Sequence, residues 1–585
     1  MQDMIEIVER LLKNDPNETS ICLRDHRIEN LDAQVLAATL RHNTTLKNID
    51  LSHNLIGDIG ALHLAELMTA SNPTMELIEQ SILIFLYLSI TTMIGENIGF
   101  AMRWRDFLAN FFILYLFTRM IVISKRAHSN LKSMNLSWNL IEDTGAQSLA
   151  LALGMNSNLD ELLLCGNQIG YIGAKNIAEA LKINTNLKNI NLGYNRFGPL
   201  EAKVIAEGIR KNRGLQSIVL DANQLGDEGI QDIFQALKFN RSLESVHVRE
   251  NQIGAQGLQH LELNKSLKTL HLDKNMIGQV GAKYLADALR DNSSLKELSL
   301  VLNSIGDAGL EYIAEALKVN VGLESINLGV NLITESSLQA LATALESNKS
   351  LKVLNLHRNH IGDEGLQYLV EALTNVSLQQ LDLFGNQITD AGVYALAKAL
   401  EDQASLEMID LGGNQMTDMG AGFLYQALRI NSCLKSIVFD EEDVDRDLFL
   451  WIQAELDFNA AFQHWLQAFE EINEKIIVPL DERHHALEGF LHRLQDYFSN
   501  PEFEAIGTAK ISKLVDKVHY EMANVILMKH PYESSNIDEI KRSRTEILGL
   551  LQNQEHEESA LLKKICFFNL EGKELGFVGP KSLRP

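Results

Sequence analysis

Leucine and isoleucine recur along this chain in a fixed figure, LxxLxLxxNxIG. Its first leucine falls at 46, 131, 159, 187, 215, 243, 267, 295, 323, 351, 378 and 406. Most steps are 28 residues; the step from 243 to 267 is 24 and that from 351 to 378 is 27. Leu159, Leu162, Leu164, Asn167, Ile169 and Gly170 make one clear unit. Partial units stand at either end, on Ile21, Leu23 and Ile28 and on Leu434, Ile437 and Phe439. The LxL alternation predicts a short strand with leucines on one face and the intervening residues on the other. The Asn predicts a turn whose side-chain amide serves backbone groups freed at the strand end, and Asn303, Asn331 and Asn359 would stack as a ladder. The apolar spacing then changes to a helical one. In residues 281–292, Tyr284, Leu285, Ala288 and Leu289 share one side of a helix.

One such unit cannot bury its apolar face alone, so neighbours must stack into a solenoid. The 24-residue step is expected to shorten one outer helix by about a turn without breaking the strand ladder. The repeated motif resembles the leucine-rich repeats of the ribonuclease-inhibitor type, also found in NOD-like receptors and the Ran GTPase-activating protein. The resemblance covers residues 1–440 and implies an α/β fold, a right-handed β–α horseshoe. Because the motif residues are scaffold, it implies no common reaction. No GxxxxGK[ST] loop is present, so the nucleotide-binding module of the NOD-like receptors is missing.

Three regions follow. Residues 1–45 are expected to form an N-terminal helix and capping repeat, 46–440 the solenoid, and 441–585 an α-helical C-terminal region. The solenoid pattern breaks at 76–130. Ile94-Gly95-Glu96-Asn97-Ile98-Gly99 echoes the repeat turn there, and residues 111–117 echo the strand, which suits two degenerate or frame-shifted repeats. The competing reading is a membrane hairpin within 80–124, from uncharged stretches at 80–95 and 107–118 joined by a loop with Arg103, Arg105 and Asp106. Each stretch is short of the roughly 20 residues of a span, and lengthening the second buries Arg119. A structured insertion or docking patch is the third reading. In 447–477, Phe458, Phe462, Trp465, Phe469, Ile472 and Ile476 give a helix with an aromatic face suited to covering the solenoid's open end.

Composition narrows the function. Apolar residues make up 46% and charged residues 22%, which excludes a disordered chain, and only 8 prolines favour regular structure throughout. The 77 acidic against 52 basic residues give a formal charge of −25, which repels a phosphate backbone; nucleic acid is not an expected partner. Cys22, Cys165, Cys433 and Cys566 lie far apart, as reduced thiols of a cytoplasmic protein would. The charged, helix-like start of the chain lacks the pattern of a secretory signal.

Candidate chemistry is sparse. His484, His485, Glu488 and His492 share helical spacing, but no HExxH order accompanies them and a polar helix face explains them. Neither Cys165 nor Cys433 has an evident general base. No catalytic, cofactor-binding or metal-ligating residue is assigned, and the chain is not expected to be an enzyme.

The remaining candidate is the inner, strand-bearing face of the solenoid. Trp138 and Tyr194 would form an aromatic zone on it, and His247, Arg249, Glu250, His271, Asp273 and Lys274 a charged zone. Val301, Leu302 and Val330 would form an apolar zone, followed by His357, Arg358 and Phe384. Aromatic residues and Arg dominate binding energy at protein interfaces, with charges acting on orientation and rate. The expected function is a non-catalytic, monomeric protein-interaction scaffold binding a partner protein on this face, in its own cytoplasm or, as a secreted bacterial effector, in host cytosol. The alternatives are a regulator of a small GTPase, as the resemblance implies, and a membrane-tethered receptor using 80–124.

Overall fold

The computed structural model describes residues 15–40, 45–68, 131–373, 378–403 and 405–474, with isolated positions at 7, 11–13, 43, 487, 514 and 518. The three readings of 76–130, the histidine group of 484–492, Cys566 and the helices expected beyond 477 lie outside these. The chain forms two compact units, Met1–His360 and Ile361–Pro585.

Among the described residues of the first unit the LxL segments form eleven strands of three residues: β1 (Ser20–Cys22), β2 (Asn48–Asp50), β3 (Ser133–Asn135), β4 (Glu161–Leu163), β5 (Asn189–Asn191), β6 (Ser217–Val219), β7 (Ser245–His247), β8 (Thr269–His271), β9 (Glu297–Ser299), β10 (Ser325–Asn327) and β11 (Val353–Asn355). Each pairs in parallel with the next in sequence. The ladder passes directly from β2 to β3, with Ile49 facing Met134. The middle residue of each strand is buried, as are the repeat leucines and isoleucines; Leu162, Leu164 and Ile169 are all within 1% of complete burial. Helices such as Asp143–Met155, Tyr171–Ile183 and Pro199–Lys211 return the chain behind the sheet, each burying a stripe of Ala, Ile and Leu against its neighbours.

Buried asparagines replace the backbone partners that so short a strand cannot supply. Asn331 is fully buried: Nδ2 donates to the carbonyls of Leu300 (2.8 Å), Leu328 (3.1 Å) and Gly329 (3.0 Å), and Oδ1 accepts from the N–H of Asn303 (2.9 Å) and Ile305 (3.3 Å). The pattern repeats one unit on, at Asn359. A second ladder, absent from the sequence reading, runs along the helix ends. Asn184, Asn212, Asn240 and Asn320 each donate to two carbonyls of the preceding repeat and accept from the two N–H groups that open their own strand segment.

The 24-residue step departs from expectation. The strand ladder is intact, Val246 facing Leu270, but the return path holds a single 3₁₀ turn, Gln256–Leu258, where a helix shortened by one turn was expected. The path from Gly254 to Asn264 must span about the 20 Å that a 13-residue neighbouring helix covers. With four residues fewer, an α-helix rising about 1.5 Å per residue is too short, so the chain turns at Gln259 and His260 and crosses from Leu261 to Asn264 without helix. The missing helix leaves a groove of about 340 Å³ on the outer side, lined by Phe234, Gln235, Lys238, Gly257 and Leu261 among others.

In the second unit, β12 (Gln380–Asp382), β13 (Met408–Asp410) and β14 (Ser436–Val438) are again parallel and in order. Helices Gly362–Leu373, Asp390–Asp402 and Asp418–Leu428 lie behind them, and the 29-residue helix Arg446–Glu474 follows. That last helix closes the stack. Ile452, Leu456, Phe458 and Phe462 are buried, and Asn459 donates to the carbonyls of Asn431 (3.0 Å) and Leu434 (2.9 Å), standing in for the asparagine of a further repeat.

Candidate protein-binding face

Beyond a typical strand the chain runs three residues to the recurrent Asn. The third of these adopts a left-handed backbone, with φ between +51° and +57° at His53, Trp138, Tyr194, Ala222, Glu250, Lys274, Leu302, Val330 and Arg358, and +68° at Gly166. This conformation costs an L-residue about 1–2 kcal/mol and glycine almost nothing. Glycine takes it at 166, while bulky side chains occupy it at 138, 194, 302 and 330. The geometry also points these side chains off the sheet: Trp138 is 44% exposed, Tyr194 46% and Leu302 45%.

The aromatic zone is a continuous strip. Trp138 stacks on His53 (centroids 5.7 Å, planes 22° apart) and meets Tyr194 at 5.2 Å. It reaches Tyr194 by lying across Gly166, where a Cβ would come within 2.5 Å of the indole. The same device recurs at His357, whose ring covers Gly329, and, in the second unit, at Phe384, whose ring lies against Gly412 and Gly413. Each ring covers a glycine one repeat away, a pairing that the sequence shows only when the repeats are aligned.

The charged zone is knit into a network. Arg249 Nε lies 2.8 Å from Asp273 Oδ2, an ion pair out of line for a hydrogen bond, and Nη2 meets His271 Nδ1. Since a guanidinium only donates, His271 Nδ1 accepts, and its Nε2–H is left for Glu297 Oε1 at 3.0 Å. His271 was expected on display, yet it is 9% exposed, and Asp273 8%. Arg249 and Glu297 reach over His271 from the neighbouring strands, and the His247 ring packs edge-on at 4.4 Å. Burial first, then His271 and Arg249, push His247 down to about 4. Glu250 and Lys274 pair at 2.5 Å on the exposed rim. Val301 is half-buried, its N–H donating to Asp273 Oδ1 at 2.9 Å. Leu302 and half-buried Val330 extend the apolar zone to exposed Leu332, which sequence reasoning passed over. Arg358 is exposed.

Asp221, also missed, stands between the aromatic and charged zones. Its Oδ1 accepts the Arg249 N–H at 2.8 Å, but no ion pair among the described residues includes it. Burial outweighs that bond and raises its carboxyl above the ordinary range. Cys165, nearby, is pushed up to about 11 by burial and by Asp221.

The family described as Leucine Rich repeat matches seven segments: 42–65, 127–150, 239–261, 263–286, 291–314, 347–370 and 374–397. They carry the strands and turns described above. This is a leucine-rich-repeat protein. No curated protein matches the chain. Among solved structures, this leucine-rich-repeat chain is similar to an internalin (inlF) of Listeria monocytogenes at 17% identity, over 75% of this chain and 95% of that one, with a TM-score of 0.35. It is also similar to a chain of the yeast Rad7 and Elc1 complex (19%, 52% and 81%, TM-score 0.32) and to leiomodin-1 actin-binding site 2 (19%, 27% and 93%, TM-score 0.26).

Proposed function

We propose that this leucine-rich-repeat protein is a non-catalytic scaffold that holds a partner protein on the strand face and rim of residues 131–360. One observation carries the reading: Trp138, Tyr194, Leu302 and Val330 are held at left-handed positions where glycine would be the less strained choice. Their side chains therefore matter more than the backbone economy they forgo. Exposed aromatic and aliphatic anchors around a polar, prearranged centre are what an interface core requires. Arg249 is fixed before any partner arrives, which lowers the ordering cost of binding. The rim residues His357 and Arg358 would widen the contact.

The reading assigns the chain no reaction of its own. Among the described residues no three His, Cys, Asp or Glu side chains gather as metal ligands, and no helix is long and apolar enough to cross a membrane. Cys22 and Cys165 stand as thiols outside any disulfide, which suits a reducing cytosol. The test is to capture partners on the full chain from cytosol, purify the captured protein and titrate it against Trp138→Ala, Arg249→Ala and Leu302→Ala. Each should weaken binding by about 1–2 kcal/mol or more. Normal affinity in all three variants would refute this face as the site.

A further inference from the structure

The ground between the aromatic strip and the charged network has its own shape and charge. In the row just beyond the strands, Ser137, Cys165 and Gly193 are small, and Asp221 ends the run. Trp138 and Tyr194, in the next row, rise alongside as a wall of rings, and Tyr194 is tied to the Asp221 residue by an N–H to carbonyl bond of 2.8 Å. Gly193 keeps the floor low: a Cβ there would sit 3.0 Å from the Asp221 carbonyl and 3.3 Å from Asn191 Oδ1. The result is a shallow trough across β3 to β6, with aromatic faces on one side and a carboxylate at its end.

That carboxylate is short of positive charge. The nearest guanidinium, that of Arg249, is turned to Asp273 and His271, and Lys274 is paired with Glu250. The raised carboxyl of Asp221 reports the same deficit, since burial outweighs what the Arg249 N–H and the more distant charges of Arg249 and His271 return. Aromatic faces and a carboxylate together favour a cation, above all a guanidinium, which can stack on a ring while donating to an oxygen. The chain's charge of −25 would draw a basic segment toward it.

Resting on the protein-binding reading above, we propose that this trough receives an Arg or Lys side chain from a basic segment of the partner protein, stacked on Trp138 and Tyr194 and paired with Asp221. The occupant is thus a peptide segment carrying an exposed cation.

The test uses the full chain and a labelled peptide of alternating Arg and Ser, followed by fluorescence anisotropy at physiological salt. A peptide with citrulline in place of Arg keeps the shape and removes the charge; it should bind at least tenfold more weakly. Asp221→Asn, which keeps an oxygen for the Arg249 N–H, and Trp138→Leu should each weaken the Arg peptide about fivefold. Glu228→Gln, an equal charge change on an exposed outer helix, should alter it less than twofold. Circular dichroism of each variant checks the fold. Equal weakening by Glu228→Gln and Asp221→Asn would overturn the proposal, leaving only general attraction to an acidic protein. Displacement of the peptide by equimolar choline would also overturn it, in favour of a small ammonium ligand. Should the Arg peptide fail to bind while the captured partner still depends on Trp138 and Leu302, the cation site falls and the protein-binding face stands.

Discussion

Gly166→Ala tests whether the aromatic strip is held by the glycine beneath it. The new methyl meets two penalties. At φ +68° an L-residue bears left-handed strain of about 1–2 kcal/mol. Its Cβ would also stand 2.5 Å from Cδ2 and Cε3 of Trp138, so the indole must move by about 1 Å to restore van der Waals contact. Trp138 is half exposed and can swing out, so the second penalty is loss of ring contact with His53 and Tyr194, about 0.5–1.5 kcal/mol. Stiffening of the unfolded chain by Ala returns about 0.4–1 kcal/mol. The net loss is about 1–2 kcal/mol. In a Trp138→Ala background only the strain remains, so a double-mutant cycle in urea, read by circular dichroism, should give a coupling of about 1 kcal/mol. A Gly166→Ala cost that is the same in both backgrounds would show that the ring does not rest on the glycine, and the strip would lose its structural basis.

Asn331→Ala strands two buried N–H groups, of Asn303 and Ile305, and takes a donor from three carbonyls; urea unfolding should show a loss of about 3–5 kcal/mol. Half-buried Asn176→Ala, on an outer helix, loses one solvent-exposed bond to the Ile172 carbonyl and should cost about 0.5 kcal/mol or less. At pH 8 the thiolate share of Cys165, pushed up to about 11, is about a thousandth, so brief alkylation followed by mass spectrometry should label exposed Cys22 far ahead of it. His247 is held near 4, below its unfolded value of about 6.5, so as pH falls the unfolded chain takes up the proton first. Its contribution is therefore full above about pH 6.5 and lost between there and 4, and His247→Gln should flatten that part of the urea midpoint against pH.

The strands, their order and the Asn ladder were legible because one 28-residue period repeats the same buried positions. Strand periodicity of two and helix periodicity of 3.6 survive inspection of a single unit. The candidate face was legible only in part. Trp138, Tyr194 and Leu302 are displayed as their places between leucines implied, but the burial of His271 depends on how far Arg249 and Glu297 reach from adjacent repeats, a relation between residues 22 and 26 apart. Asp221 was overlooked because an isolated acid looks ordinary until its neighbours prove unable to neutralise it. The helix-end asparagines were visible as letters, in KVN at 318–320 for example, yet the work of Asn320 lies in carbonyls 28 and 31 residues away. The short repeat misled because residue count was converted into helix length, when the fixed quantity is the distance the return path must cross.

That short repeat has a consequence for how the first unit responds to load. In a linear stack, cohesion is a sum of contacts between adjacent repeats, and each boundary must hold by itself. Elsewhere a helix buttresses the strand pair from behind; between β7 and β8 the buttress is one 3₁₀ turn and a short irregular crossing. The boundary keeps its backbone bonds and loses much of its backing, so it is the joint at which the row can hinge or part first. A partner gripping both Trp138 and Leu302 would straddle that joint and act as a splint, binding more firmly the more it suppresses the bend.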